Sequence, residues 1–188
     1  MKLLEERILQ EGIVLGQDIL KVDGFINHQV DVELMEELGR DMAGHFQGQG
    51  VTKVFTIESS GIAPALFTAR YLSVPMVILK KRVSKNLQTE VWQTEVASYT
   101  KDVSYELTLA KNYISDTDHI LIVDDFLANG EAATGAVRLI RKAHATIAGV
   151  GVLIEKAFQP GREKLESQGV AVYAQARIRA FEDGRVLF

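Results

Sequence analysis

The sequence predicts an α/β protein with a central, mainly parallel sheet that is flanked by helices. Two observations lead to this prediction. Short unbroken runs of Val, Ile and Leu, as in KVFTIE, VPMVILK, HILIVDD and IAGVGVLIE, are typical of strands that are buried on both faces. Segments with helical spacing separate most of these runs, as expected for crossover connections between parallel strands.

The elements can be assigned in order along the chain. Residues 3–10 predict a short amphipathic helix, and GIVLGQDILKVDGFINHQVD predicts strands and turns because Gly and Asp interrupt its apolar pieces. DVELMEELGRDMAGHFQGQG has apolar residues near helical spacing and ends in glycines, which indicates a helix. SSGIAPALFTARYL and GEAATGAVRLIRKAH predict two more helices, PGREKLESQG a short one, and VAVYAQARI a final strand.

Residues 83–110 interrupt the alternation. TEVWQTEVASYT and VSYELTLA indicate a two-stranded hairpin rather than a crossover helix. A long excursion at the ligand end of a sheet is often a flexible lid, and an edge hairpin explains the pattern equally well. As a lid, residues 85–98 are expected to be mobile without ligand.

Composition limits the possible functions. With 188 residues and no repeat or linker, the chain is expected to form a single domain, 1–188. The net charge of −4 argues against nucleic-acid and anionic-membrane partners. The absence of Cys excludes disulfides and thiol chemistry, and no apolar run reaches the roughly 20 residues that span a bilayer. MKLLEERILQEG does not resemble a signal peptide, so we expect a cytoplasmic protein.

The stretch HILIVDDFLANGEAATG contains the main candidate site. Asp124 and Asp125 end a predicted strand, and a small-residue loop then leads into a helix, where free backbone amides favour an anion such as phosphate. Adjacent carboxylates need donors or a cation, which ribose hydroxyls and Mg²⁺ supply. A solvated strand-to-helix turn is the alternative, and helix-dipole effects alone account well for Glu131.

Two further strand ends carry candidate residues. IESSGI offers Ser59, Ser60 and Gly61, whose small size and free amides suit a second anion, although an N-capping Ser explains the same letters. KKRVSK clusters Lys80, Lys81, Arg82 and Lys85 in an acidic protein, which fits a diphosphate. A solvated basic turn accounts for at least two of these four cations. The histidines show no metal-ligand spacing.

Together, GFINHQVD, ESSGIAPA, VDDFLANGEAATG and LIEKAFQPGRE resemble the type I phosphoribosyltransferases over nearly the whole chain. The resemblance implies their fold with a small base-binding hood, a homodimer, and Mg²⁺-dependent transfer of a 5-phosphoribosyl group to a purine nitrogen. It assigns the ribose hydroxyls to Asp124 and Asp125. The residues it implies for phosphoribosyl diphosphate are Ala128, Asn129, Gly130, Glu131, Ala132, Ser59, Ser60, Gly61 and Lys81.

The resemblance also implies a base site at Leu20, Asn27 and Lys156. An ammonium only donates, so Lys156 favours a 6-oxopurine and rejects adenine. The Asn27 amide can donate to the 2-oxo group of xanthine and Leu20 can offer a backbone contact, which predicts xanthine ahead of guanine and hypoxanthine. Without the resemblance, a surface Lys and an Asx turn at Asn27 explain these residues. A guanine- or hypoxanthine-preferring enzyme and a regulator that senses phosphoribosyl diphosphate are the alternative functions.

Overall fold

The computed structural model describes residues 1–81, 90–98 and 103–188. The helices are α1 (Lys2–Glu11), α2 (Val32–Phe46), α3 (Ile62–Leu72), α4 (Glu131–Lys142) and α5 (Gly161–Glu166). The strands are β1 (Ile13–Leu15), β2 (Ile19–Lys21), β3 (Lys53–Ile57), β4 (Met76–Leu79), β5 (Val91–Ser98), β6 (Val103–Ala110), β7 (His119–Leu127), β8 (Thr146–Lys156), β9 (Val172–Ile178), β10 (Ala180–Glu182) and β11 (Arg185–Leu187). A π-helical turn spans Asp23–Asn27 and a 3₁₀ turn spans Lys111–Tyr113.

Five parallel strands form the central sheet in the order β4–β3–β7–β8–β9. This confirms the predicted fold class. The chain proceeds from β3 outward to β4, then returns to β7 on the other side of β3 and continues toward β9. Ligands of open α/β sheets bind beyond the carboxyl ends of the strands at such a reversal. The topology therefore directs attention to the ends of β3 and β7.

Each face of the sheet is covered by its own apolar cluster. Helices α2 and α3 contribute Met35, Leu38, Met42 and Ala65 to one cluster, which also includes Val54 and Val123 from the sheet. Helix α4 and the β5–β6 hairpin pack on the other face, against side chains such as Phe55 and Ile122. Because both faces are buried, the strands read as continuous apolar runs.

The β5–β6 hairpin confirms the predicted two-stranded excursion, with antiparallel pairing from Val91↔Ala110 to Ser98↔Val103. Val96 and Leu107 are buried in the core. Arg138 of α4 donates to the Glu95 carbonyl at 2.5 Å, and Lys142 donates to the Gln93 carbonyl at 2.6 Å. These contacts hold β5 against α4. The mobility predicted for residues 85–98 stays a prediction, and residues 85–89 lie outside the described residues.

The hood consists of α1, the β1–β2 hairpin and the turn Asp23–Asn27, and it packs on the α2–α3 face through Leu4, Ile8, Phe25 and Ile26. The expected strands and turns are present, with a π-helical turn in addition. The sequence predicted β9 as the final strand, and this prediction was wrong. An antiparallel pair, β10 and β11, follows it. Asp183 and Gly184 join them with positive φ angles of 49° and 74°. An Asp-Gly dipeptide suits this conformation, which is that of a tight hairpin turn.

No helix in the described ranges combines the length and the apolar character that crossing a bilayer requires.

Candidate active site

Asp124 and Asp125 lie near the carboxyl end of strand β7, before the loop that leads into α4. The preceding residues Ile120–Val123 are fully buried, whereas Asp124 is half-buried and Asp125 is 7% exposed. The Asp125 amide donates to Asp124 Oδ1 at 3.0 Å. Desolvation of the Asp124 carboxyl, followed by repulsion from the Asp125 carboxylate, raises the pKa of Asp124 well above its ordinary value. Hydroxyl donors or a cation at this position would oppose both effects.

A cavity of about 230 Å³ opens beside this acid pair. The whole predicted phosphate loop, 128–132, lines it together with Asp124 and Lys81. Gly130 caps helix α4 with φ 79°, a left-handed conformation that glycine adopts without penalty. The amides that begin α4 therefore lie at the cavity, where the helix dipole also favours an anion. The structure thus brings Asp124, Lys81 and the predicted phosphate loop together in one cavity, whereas Asp125 and the turn Ser59–Gly61 are not part of its lining.

The start of helix α5 packs against the predicted phosphate loop. The Gly161 amide donates to the Ala128 carbonyl at 3.0 Å. A Cβ at Gly161 would lie 2.3 Å from that carbonyl oxygen, and a Cβ at Gly130 would lie 2.8 Å from the Gly161 Cα. Glu131 lines the cavity, and its carboxylate binds Lys164 Nζ at 2.5 Å. Glu131 thus has a partner on α5, which suits a role in holding the loop.

The turn after β3 lies against the acid pair. A Cβ at Gly61 would lie 2.6 Å from Asp124 Oδ1, so only glycine permits this approach. Ser59 and Ser60 belong to the same turn, and the Glu58–Ser59 peptide bond is cis. The structure therefore places the turn predicted for a second anion next to Asp124.

The basic stretch after β4 divides into two roles. Glu58 binds Lys80 Nζ at 3.2 Å and accepts a hydrogen bond of 2.7 Å from the Lys81 amide. The Lys81 side chain lines the cavity, and its ammonium lies 5.5 Å from the centre of the Tyr105 ring. Lys81 is therefore placed to meet a ligand, while Lys80 is paired with Glu58. Arg82 and Lys85 lie outside the described residues.

The predicted base residues are not part of the cavity lining, and among the described residues Asn27 is the one of the three with a hydrogen bond to the acid pair. Asn27 Nδ2 lies 3.4 Å from Asp125 Oδ2. Lys156 Nζ donates to the Asp18 carbonyl at 2.5 Å and lies 5.7 Å from the centre of the Phe126 ring. Desolvation lowers the pKa of Lys156. Leu20 is a buried core residue of β2, which leaves its backbone for any ligand contact.

The comparisons with known proteins agree with this geometry. A family model described as the phosphoribosyl transferase domain matches residues 33–175. The chain belongs to the phosphoribosyltransferase family. A xanthine phosphoribosyltransferase of Agathobacter rectalis is 58% identical over 188 residues, covering 100% of this chain and 98% of that protein. Xanthine phosphoribosyltransferase 1 of Clostridium botulinum is 56% identical, covering 100% of this chain and 99% of that protein. The xanthine phosphoribosyltransferase of Streptococcus agalactiae is 52% identical, covering 100% of this chain and 97% of that protein.

A solved phosphoribosyltransferase confirms the fold. The crystal structure of adenine phosphoribosyltransferase from Rhodothermus marinus superposes with a TM-score of 0.75 at 24% identity. It covers 94% of this chain and 99% of its own. At this level of identity the similarity concerns the fold.

Two aromatic residues of this phosphoribosyltransferase line the cavity although sequence reasoning did not single them out. Tyr105 reaches it from β6, and desolvation together with the charge of Asp124 raises the pKa of its phenol. Phe126 follows the acid pair directly in the chain. The position of Phe126 directly after the two acids could have indicated that it lines the cavity. Tyr105 belongs to a hairpin whose packing could not be read from the sequence.

Proposed function

We propose that this protein is a purine-salvage enzyme that transfers a 5-phosphoribosyl group from phosphoribosyl diphosphate to xanthine. The products are xanthosine 5′-monophosphate and pyrophosphate. The observation that carries this proposal is the cavity in which Asp124 of the acid pair meets the predicted phosphate loop at the start of α4. The choice of base is supported by relatives named xanthine phosphoribosyltransferase that align over the full chain at 52–58% identity.

The sugar-phosphate ligand matches the two halves of the cavity. The amides of loop 128–132 would bind the 5′-phosphate, and Asp124 and Asp125 would accept from the ribose hydroxyls. The turn Ser59–Gly61 and the Lys81 ammonium would bind the diphosphate beside them. Lys81 lines the same cavity as the loop, and its charge acts to lower the pKa of Asp124.

The reaction exchanges one bond at the anomeric carbon of the ribose. The bond from this carbon to the diphosphate oxygen breaks, the electron pair leaves with pyrophosphate, and a purine nitrogen bonds to the carbon. Positive charge develops on the sugar as the leaving group departs. Carboxylates held near the sugar stabilise that charge, and their position is set before the reaction by strand β7. The displaced purine proton passes to solvent or to a basic group on the ligand.

Mg²⁺ is the cofactor we propose. Among residues 1–81, 90–98 and 103–188, no group of three acidic or His side chains could hold a metal ion by itself. Mg²⁺ typically uses one or two carboxylates and completes its shell with substrate phosphates and water. The acid pair at the cavity fits a cation of this kind, which would neutralise charge on the departing pyrophosphate.

Base recognition would come from the hood and from the end of β8. The Lys156 ammonium can donate to the 6-oxo group, and the Asn27 amide to the 2-oxo group of xanthine. Leu20 would contribute through its backbone. The lysine is now bonded to the Asp18 carbonyl, so a base would replace or share this acceptor. Adenine presents an amine at position 6 and would leave the ammonium without an acceptor.

A comparison of four bases tests the proposal. Turnover is measured with phosphoribosyl diphosphate, Mg²⁺ and each of xanthine, guanine, hypoxanthine and adenine. We expect kcat/KM to be highest for xanthine and lowest for adenine. Adenine as the best substrate would contradict the role of Lys156. Guanine as the best substrate would contradict the role of Asn27 alone.

The alternative functions are not favoured by these relatives. A regulator that only senses phosphoribosyl diphosphate would show binding without turnover in the same assay. We further propose that the enzyme acts in the cytoplasm as a homodimer.

A further inference from the structure

Thr56 is an unusual residue within strand β3. Its neighbours Val54, Phe55 and Ile57 are apolar and buried, and Thr56 itself is fully buried. In the described part of the chain, its Oγ1 has no hydrogen-bond partner. A buried hydroxyl without a partner opposes folding, and valine would fill the same space without this cost. Packing of the strand therefore does not explain why position 56 carries a hydroxyl group.

The position of Thr56 beside the acid pair supplies that reason. A Cβ at Gly61 would lie 2.3 Å from Thr56 Oγ1 and 2.6 Å from Asp124 Oδ1, so both oxygens converge on the point where Gly61 has no side chain. The same Asp124 oxygen already accepts the Asp125 amide at 3.0 Å. Both distances run from the same point, so the two oxygens are neighbours across the space that Gly61 leaves open.

We propose that Thr56 is a positioning residue whose hydroxyl donates to Asp124 Oδ1 when the sugar site is filled. Together with the Asp125 amide, it would fix this oxygen and leave Asp124 Oδ2 for a ribose hydroxyl. A hydrogen bond from a buried donor also favours the ionised carboxylate, which the sugar requires as an acceptor. This inference rests on the proposed function, since it assigns Asp124 to the ribose.

The experiment compares Thr56→Val, Thr56→Ser and Thr68→Val with the wild-type protein. Thr68 is a matched control because it is equally buried, but its hydroxyl is bonded to the Pro64 carbonyl at 2.8 Å within α3. Steady-state kinetics with xanthine and phosphoribosyl diphosphate, and thermal unfolding, are measured for each protein.

We expect Thr56→Val to lower kcat/KM for phosphoribosyl diphosphate by about tenfold, since one hydrogen bond to a charged group is lost. Thr56→Ser keeps the hydroxyl and should stay within about twofold of the wild type, as should Thr68→Val. The Tm of Thr56→Val should equal or exceed that of the wild type, because the unpartnered hydroxyl is removed. A side chain that served packing alone would leave the kinetics of Thr56→Val unchanged, because valine fills the same space.

Two results would overturn this inference alone. One is an active wild-type protein whose Thr56→Val variant retains full kcat/KM. The other is a Thr56→Ser variant that loses as much as Thr56→Val, which would assign the effect to the methyl group. A wild-type protein that turns over none of the four bases would instead overturn the proposed function.

Discussion

Asp124 and Asp125 are adjacent in the chain but have different surroundings. Asp124 lines the cavity and lies against Gly61, whereas Asp125 is almost buried and its Oδ2 lies 3.4 Å from the Asn27 amide. The pair therefore lies between the turn after β3 and the hood. Replacing both carboxylates by amides keeps the shape of the side chains, removes their charge and turns one of the two acceptor oxygens of each into a donor.

The double variant Asp124→Asn, Asp125→Asn should lower kcat/KM by at least about 100-fold, because charge stabilisation at a reacting centre commonly contributes this much. The protein should stay folded, since neither carboxylate forms an ion pair in the described ranges. Circular dichroism and steady-state kinetics check both points. Asp116→Asn, at an exposed acid, is the control. A folded double variant with wild-type kinetics would disprove the sugar assignment.

Lys156 and Asn27 are expected to divide the recognition of the base. Lys156→Ala should reduce kcat/KM for xanthine, guanine and hypoxanthine alike, because all three carry the 6-oxo group. Asn27→Ala should reduce it most for xanthine, which alone has a 2-oxo group. Each lost contact should cost roughly 10- to 100-fold, the range for a hydrogen bond to a charged or buried partner. Equal losses for all bases in Asn27→Ala would contradict this division.

At the scale of elements, the segment from Lys156 to Gly161 connects the base site with the phosphate loop. Its first end is fixed because Glu155 is buried and Arg162 of α5 binds both of its carboxylate oxygens, at 2.8 and 2.6 Å. At its other end, the Gly161 amide holds the Ala128 carbonyl. Helix α5 is therefore a brace for the loop that would carry the 5′-phosphate.

Gly161→Ala tests this brace. The added Cβ would meet the Ala128 carbonyl oxygen at 2.3 Å and must displace the phosphate loop. We expect KM for phosphoribosyl diphosphate to rise by about tenfold or more, since small displacements of binding groups have large kinetic effects. Gly44→Ala is the control, because Gly44 lies in α2 with open space around it. An unchanged KM in a folded Gly161→Ala variant would show that the loop does not depend on α5.

Some elements could be predicted from sequence and others could not, for identifiable reasons. Strand β7 and the acid pair were predicted because a buried parallel strand has a continuous apolar run and an abrupt polar end. The β10–β11 hairpin was missed although Asp183 and Gly184 marked its turn, because its strands are only three residues long. Within the site, the contacts of Gly130 with Gly161 and of Gly61 with Thr56 depend on tertiary packing, which no local pattern encodes.

For the whole molecule, the resemblance to type I enzymes implies a homodimer. Large apolar side chains are exposed at Leu9, Ile13 and Ile19, and an interface would cover side chains of this kind. We expect sedimentation equilibrium to give twice the chain mass of 20.8 kDa. A mass of one chain at the concentrations used for kinetics would contradict this prediction.

The parallel sheet also determines when the active site can form during folding. No two neighbouring strands of this sheet are joined by a hairpin, so every pairing closes a loop through a helix or a longer segment. Contacts between residues distant in sequence form slowly compared with helices and hairpins. The acid pair, the Ser59–Gly61 turn and Lys81 meet only after β3, β4 and β7 are paired. We therefore expect turnover regained after dilution from denaturant to report the completed sheet and to follow the recovery of the helical signal.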